Sequence, residues 1–228
     1  MDTALITGAS RGLGLALARE LARRSWRLVI DGRDADALHA ARDELSRITE
    51  VVAIPGDVAD AEHRRALVEA AGPRIDLLVN NASALGPSPQ PRLADYPLDV
   101  LEHVYRVNVF APLALVQTAL SALQPGACVL NVTSDAAVEA YEGWGGYGSS
   151  KAALEQLTRI LAAEHPELRF VAVDPGDMNT RMHQEAFPGE DISDRPPPEA
   201  SVPGLLALIE GDLPSGRYQA RTLAGAPA

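Results

Sequence analysis

A phenol and a primary amine four residues apart carry the first hint of chemistry in this chain. They are Tyr147 and Lys151, in Tyr147-Gly-Ser-Ser-Lys151, and Ser134 stands thirteen residues before the tyrosine. The stretch that follows, KAALEQLTRILAAE, predicts a helix with Ala153, Leu154, Leu157, Ile160 and Leu161 on one side. A helix that begins near Tyr147 puts residues four apart on one face, so the phenol and the ammonium share one space. Free tyrosine titrates near pH ~10, and a neighbouring cation favours the phenolate; the pair is a way to build a proton donor. Cys128-Val-Leu-Asn-Val-Thr-Ser134 reads as a buried strand with the Ser134 hydroxyl at its carboxyl edge. Taken alone, the pair is better described as a half-buried tyrosine beside a solvated lysine. The rest of the chain decides between the two.

The elements that must position these residues begin at the other end. Thr3-Ala-Leu-Ile-Thr7 is a short apolar run, followed by Gly8-Ala-Ser-Arg-Gly12-Leu-Gly14 and a helical pattern of Leu13, Leu17 and Leu21. Strand, glycine-rich turn and helix together present free backbone N–H groups and a positive helix end to an anion. The lysine of a mononucleotide P-loop does not follow the last glycine. The alternation continues with Arg27-Leu-Val-Ile30, a helix carrying Leu38, Ala41, Leu45 and Ile48, and Val51-Val-Ala-Ile54. Then come a helix over 60–71 and Asp76-Leu-Leu-Val79, which ends at Asn80-Asn81-Ala82. Such alternation implies a parallel sheet wound on both faces, with a ligand crevice at the carboxyl ends of its strands. A long helix over about 97–123 holds Leu101, Val104 and Val107 inward, and Pro112 kinks it and frees backbone near Asn108. Leu168-Arg-Phe-Val-Ala-Val173 is a further strand, broken by Asp174-Pro-Gly176. Residues 177–198 are irregular and long for a connection, which reads as a lid. A helix near 199–210 and a short strand near Arg217-Tyr218-Gln219 close the chain.

Composition narrows the classes. The 228 residues read as a single domain, 1–228, with 46% apolar and 22% charged residues, an ordinary globular balance. A net charge of -11 opposes binding to a phosphate backbone or an anionic membrane. Five scattered histidines and one cysteine lack ligand spacing, so no metal site is expected. The single Cys128 has no partner for an internal disulfide, which fits a reducing compartment. No signal peptide opens the chain and no run approaches ~18 apolar residues. The expectation is a cytoplasmic protein that meets neither nucleic acid nor membrane.

With these pieces assembled, the sequence resembles the short-chain dehydrogenase/reductase family over about residues 3–180, and more loosely to 220. Thr7-Gly8-x-x-x-Gly12-x-Gly14 has the spacing of that family's compact, single-domain branch. Asp57 in Gly-Asp-Val matches the residue against the adenine. Asn80-Asn81-Ala82 matches Asn-Asn-Ala-Gly, with Ser83 where glycine is usual. Asn108, Ser134, Tyr147 and Lys151 match the catalytic tetrad. Pro175, Gly176 and Thr180 match the segment that embraces the nicotinamide. The resemblance implies a Rossmann-type doubly wound, mostly parallel seven-stranded sheet, order 3-2-1-4-5-6-7, with helices on both faces. It implies a carbonyl–alcohol oxidoreductase with Tyr147 as general acid and base. Lys151 would lower the tyrosine's pKa and hold the nicotinamide ribose, Ser134 would donate to the substrate oxygen, and Asn108 would hold a water linking Lys151 to solvent. Ser10, Leu13 and Val58 join the cofactor-binding set.

NADP(H) is the favoured cofactor. In the family the acid of NAD enzymes falls where Gly32 stands, while Arg33 and Arg11 are the cations used for a 2′-phosphate. Asp31, one residue early, keeps NAD(H) open, since a one-residue shift would turn it toward the ribose. Pocket candidates by position are Leu85, Val138, Tyr141, Trp144, Met178, Met182 and Phe187, with Glu139, Glu142 and Asp177 near. They suit a small neutral or cationic carbonyl or alcohol better than an acidic one. The ending Leu-Ala-Gly-Ala-Pro-Ala228 lacks the family's Asp-Gly-Gly motif, which disfavours its tetramer and leaves a homodimer on the long helices, or a monomer. Two other functions stay open: an NADP-binding sensor or scaffold without turnover, and an epimerase or dehydratase on the same fold.

Overall fold

Short runs of four to six residues, apolar in all but the last of them, build the centre of the molecule. In the computed structural model, which describes residues 1–223, they are β1 (Thr3–Ile6), β2 (Arg27–Gly32), β3 (Val51–Pro55), β4 (Ile75–Asn80), β6 (Arg169–Asp174) and β7 (Gly216–Gln219). A longer strand, β5 (Leu123–Val132), completes a seven-stranded sheet in the order β3-β2-β1-β4-β5-β6-β7. Every pairing in it is parallel. The last five residues of the chain, which fall in the ending that departs from the family pattern, lie outside the described residues.

Alternation along each strand divides the core into two layers. Ala4, Ile6, Leu28, Ile30, Leu77 and Val79 face α1 (Gly12–Arg23), α2 (Ala35–Leu45) and α8 (Val202–Glu210). Leu5, Val29, Leu78, Val129 and Phe170 face the opposite way, toward α3 (Ala61–Ala71), α5 (Ala111–Ala119) and α6 (Gly145–Glu164). Phe170 is fully buried, and such a side chain contributes roughly 1.5–3 kcal/mol through the surface it removes from water. This is the doubly wound Rossmann-type arrangement, and its cleft lies past the carboxyl ends of the strands.

Local rules set the helix starts. Asp34 accepts from the Ala37 N–H at 3.1 Å and Asp60 from the Glu62 N–H at 2.9 Å, capping α2 and α3. The start of α1 has no such side-chain cap, so its N–H groups stay free at the cleft.

Several expectations need correction. The helix over 97–123 is three pieces: α4 (Leu98–Tyr105), a π turn over Arg106–Phe110, and α5, whose first turn carries Pro112. Proline fits there because a first-turn N–H has no intrahelical partner to lose. The fifth strand begins at Leu123 rather than Cys128 and ends at Val132, so Ser134 lies two residues beyond it. Within 177–198 a short helix, α7 (Arg181–Ala186), interrupts the irregular chain. Ile160 is 42% exposed, and Ile48 lies beyond the end of α2 and is 52% exposed.

On α6, Leu154 and Leu161 are buried as expected, and Glu155 and Thr158 are buried with them. Glu155 accepts from Thr133 at 2.8 Å and from Arg217 at 2.9 Å. Asn80 on β4 donates to Asn131 on β5 at 2.7 Å, and Asn131 donates to Thr158 at 2.8 Å. Three elements are thus tied by polar side chains beneath the site.

Candidate active site

The cleft has a volume of about 1200 Å³ and runs from the glycine loop after β1 to the start of α6. At one end, Gly8 takes φ +66, and a Cβ there would come within 2.9 Å of the Ala82 Cα. Only glycine meets both conditions. Asn81 donates to the carbonyl oxygens of Thr7 (2.9 Å) and Gly8 (3.0 Å), while the Thr7 hydroxyl accepts from the N–H groups of Asn81 and Ala82. The loop is therefore held open against β4. Ser10, Arg11, Gly12 and Leu13 line the cleft with Gly8, whereas Gly14 packs behind them. Together with the uncapped start of α1, this cradle fits a pyrophosphate.

Further along the same wall stand Arg33, Asp57, Val58 and Ala82. Arg33 is exposed and makes no ion pair among the described residues, while Arg11 pairs with the exposed Asp34. Asp31 lies below the loop, 1% exposed, with its carboxylate accepting from the Gly8 N–H at 2.6 Å and facing His63 Nε2 at 3.0 Å. The residue borders the cleft, but both of its carboxylate oxygens are engaged beneath the loop. Asn80 is not on the wall, because its amide is spent on Asn131. Pro175, Gly176 and Thr180 reach the cleft from beyond β6, and Thr180 caps α7 by accepting from the His183 N–H at 3.2 Å.

The other end holds the tyrosine and the lysine. Tyr147 is 9% and Lys151 2% exposed, with the Lys151 Nζ 5.4 Å from the centre of the phenol ring. The ammonium donates to the Val132 carbonyl at 2.8 Å, across the end of β5. Burial pushes its pKa down to about 8. Burial also pushes the phenol of Tyr147 above its ordinary value; the Ser83 hydroxyl opposes this, and the carboxylates of Asp174 and Asp135 reinforce it. The expectation that the lysine would bring the phenol down is therefore not met in the free chain: desolvation outweighs a cation turned toward a carbonyl. A phenol held protonated is suited to giving a proton.

Ser134 reaches the cleft, but its hydroxyl donates to Asp135 Oδ1 at 2.9 Å. Asn108 is fully buried behind the wall, and its amide is committed on every side. It donates to the Ala84 carbonyl and the Ser150 hydroxyl, both at 2.9 Å. It accepts from the Ala84 N–H at 2.8 Å and from the Ser83 hydroxyl at 3.1 Å. The side chain thus fixes residues 83–84 to α6.

The substrate side is aromatic. Trp144 meets the Tyr147 ring edge-on at 5.9 Å and Phe187 at 5.7 Å, and Met182 packs with Leu85 against Tyr147. Met178 lines the cleft while packing on the core, and Tyr141 lines it with its hydroxyl on Asp135 Oδ2 at 3.0 Å. Val138 is 56% exposed and off the lining, as are Glu139 and Glu142, the latter paired with Arg92. Sequence reasoning missed Asp135 and His63. Asp135 stood next to Ser134, which was signal enough; nothing in the sequence joined His63 to Asp31.

A doubly wound sheet with an open anion cradle and a buried phenol–ammonium pair in one cleft belongs to the nucleotide-binding oxidoreductases. The family model described as short chain dehydrogenase matches residues 2–191, and the chain belongs to that family. It is 37% identical over 229 residues to a rhamnolipids biosynthesis 3-oxoacyl-[acyl-carrier-protein] reductase of Pseudomonas aeruginosa, covering 94% of this chain and 82% of that one. It is 33% identical over 199 residues to the sepiapterin reductase of Mus musculus, covering 80% and 76%. An alcohol dehydrogenase of the archaeon Thermococcus sibiricus, solved with 5-hydroxy-NADP, superposes with a TM-score of 0.87 at 28% identity, covering 100% of this chain and 99% of that one. No helix among the described residues is long and apolar enough to cross a membrane.

Proposed function

We propose that this chain interconverts a carbonyl and an alcohol with NADP(H), using Tyr147 as the proton donor and acceptor. The observation that carries the reading is the burial of Tyr147 beside Lys151 in the cleft that also holds the glycine cradle. Bound NADP(H) supplies or takes up hydride at the substrate carbon. In reduction, Tyr147 gives its phenolic proton to the carbonyl oxygen; in oxidation, the phenolate takes a proton from the alcohol. Lys151, with a pKa of about 8, is cationic at neutral pH, stabilises the phenolate left behind, and holds the nicotinamide ribose. Ser134 turns from Asp135 to donate to the substrate oxygen. Asn108 acts by position, fixing the 83–84 segment against α6.

Gly8, Ser10, Arg11, Gly12, Leu13, Asn81 and Ala82 hold the pyrophosphate end, Asp57 and Val58 the adenine, and Pro175, Gly176 and Thr180 the nicotinamide. Arg33, free of other pairing among the described residues, takes the 2′-phosphate with Arg11. Residues 177–198, with α7 among them, serve as the lid. Aromatic walls and the carboxylates of Asp135 and Asp177 favour a neutral or cationic carbonyl compound.

The test is NADPH oxidation across aldehydes, ketones, diketones, quinones, and carboxylated and acyl-carrier substrates, with Tyr147→Phe in parallel. Turnover should fall by about 10²–10⁴ in the variant while NADPH binding persists. Equal turnover by both proteins would end the Tyr147 assignment. A preference for the acidic substrates would end the substrate-class reading alone.

A further inference from the structure

The buried pair of Asp31 and His63 lies directly under the cofactor cradle. A carboxylate at the end of the second strand of this fold ordinarily accepts from the ribose 2′-hydroxyl of NAD. This chain has such a carboxylate on β2, yet both of its oxygens are engaged elsewhere. Oδ1 accepts from the Gly8 N–H at 2.6 Å, and Oδ2 faces His63 Nε2 at 3.0 Å. His63 comes from the first turn of α3, and its side chain is 6% exposed against 1% for Asp31. The ring is packed beneath Gly56, where a Cβ would come within 2.3 Å of Nδ1. Gly56 leads into Asp57 and Val58, so the imidazole is fixed between the adenine-side loop and the glycine loop. The next residue on β2, Gly32, is tight for a side chain, since its Cβ would lie 2.9 Å from Ser10 Oγ.

We propose that His63 is a specificity-determining residue: by holding the Asp31 carboxylate beneath the glycine loop, it keeps that acid from the adenosine ribose and leaves the 2′ position to Arg33 and Arg11. The inference rests on the NADP(H) reading given above. Other charges border this corner. Asp57 and Asp34 also face it, Asp34 already paired with Arg11. A released Asp31 adds one more negative charge, repelling a 2′-phosphate and offering an acceptor to a 2′-hydroxyl. Both effects shift preference the same way.

The experiment is fluorescence titration of the full chain with NADPH and with NADH, for wild type, His63→Leu, His63→Gln, Asp31→Asn and the His63→Leu/Asp31→Asn double variant. His63→Leu should cut the NADPH-over-NADH preference by about tenfold or more, the scale of one charge-assisted contact. His63→Gln, whose amide still donates to Asp31, should stay within about threefold of wild type, and the double variant should regain the wild-type ratio. Parallel changes in both constants for His63→Leu, with the ratio unmoved, would overturn the proposal. So would an Asp31→Asn variant that loses NADH binding alone, because Asp31 would then already serve the ribose. If circular dichroism shows His63→Leu unfolded, the Asp31→Asn arm decides. A wild type without any NADPH preference would defeat the cofactor reading instead, while the ratio of variant to wild type still judges His63.

Discussion

Lys151→Met separates what the buried ammonium costs the fold from what it contributes to chemistry. The pKa of Lys151 falls from an ordinary 10.5 to about 8 because burial disfavours its charged form. At ~1.36 kcal/mol per unit, a protonated Lys151 costs the native state roughly 3 kcal/mol at neutral pH. Its one side-chain hydrogen bond, to the Val132 carbonyl at 2.8 Å, repays part of that; losing it costs about 1–3 kcal/mol, independent of pH. The sign follows from proton counts. Between pH 8 and 10.5 the unfolded chain binds the proton that the folded chain has released, so wild-type stability gains with rising pH. Below that window both states are protonated and the full cost is present. The methionine variant has no such dependence. The stability of Lys151→Met minus that of wild type should therefore fall by roughly 2 kcal/mol between about pH 7 and 9.5. Urea denaturation of both proteins without cofactor measures it, and other titrating groups cancel in the difference. A difference that stays flat over this range would refute the argument. Turnover by the variant should meanwhile drop at least about a hundredfold.

Two other perturbations address the cofactor and the surface. Arg33→Ala should weaken NADPH binding by about 10–100-fold and NADH binding by less than about threefold in the same titration; equal losses would sink the phosphate assignment. The outer sides of α4–α5 and α6 expose Leu98, Phe110 and Ile160, and we propose that two copies pair there. Sedimentation velocity should then find a dimer that Phe110→Asp dissociates, and a monomeric wild type would refute the pairing.

The strands and helices around the glycine loop were legible because apolar runs of fixed length alternate with helical patterns, which is a local signal. Tyr147 and Lys151 were legible for the same reason, since helical spacing alone puts them together. The misreadings occur where distant partners decide. Gln124-Pro-Gly126 looks like a break, yet the Ile75 N–H donates to the Ala122 carbonyl and Leu123 pairs with Ile75, extending β5 backward through a register shift. Ile160 looked inward on apolarity but is exposed, while Glu155 and Thr158 are buried beside Leu154 and Leu161 because Arg217, Thr133 and Asn131 satisfy them. Asp31 was one residue from the NAD position, and only its contacts with Gly8 and with His63, thirty-two residues away, show where it points. The phenol's pKa was misjudged because a sequence conveys a cation's proximity but not how dry the surroundings are.

The Asn80–Asn131–Thr158 chain has a consequence for how the sheet finds its alignment. Parallel strands made of valine, leucine and isoleucine tolerate a slip of two residues, since one buried aliphatic replaces another at small cost. Asn80 sits opposite Asn131 in the register, and a slip between β4 and β5 breaks the bond between the two amides, leaving polar groups among hydrocarbon. Each polar group left so costs about 1–3 kcal/mol. These three side chains act as an index mark between β4, β5 and α6, rejecting misaligned sheets that aliphatic packing alone would accept. The same mark fixes how far β5 extends toward Ser134 and α6 toward Tyr147, so the spacing of the reactive groups is set by residues that never meet the substrate.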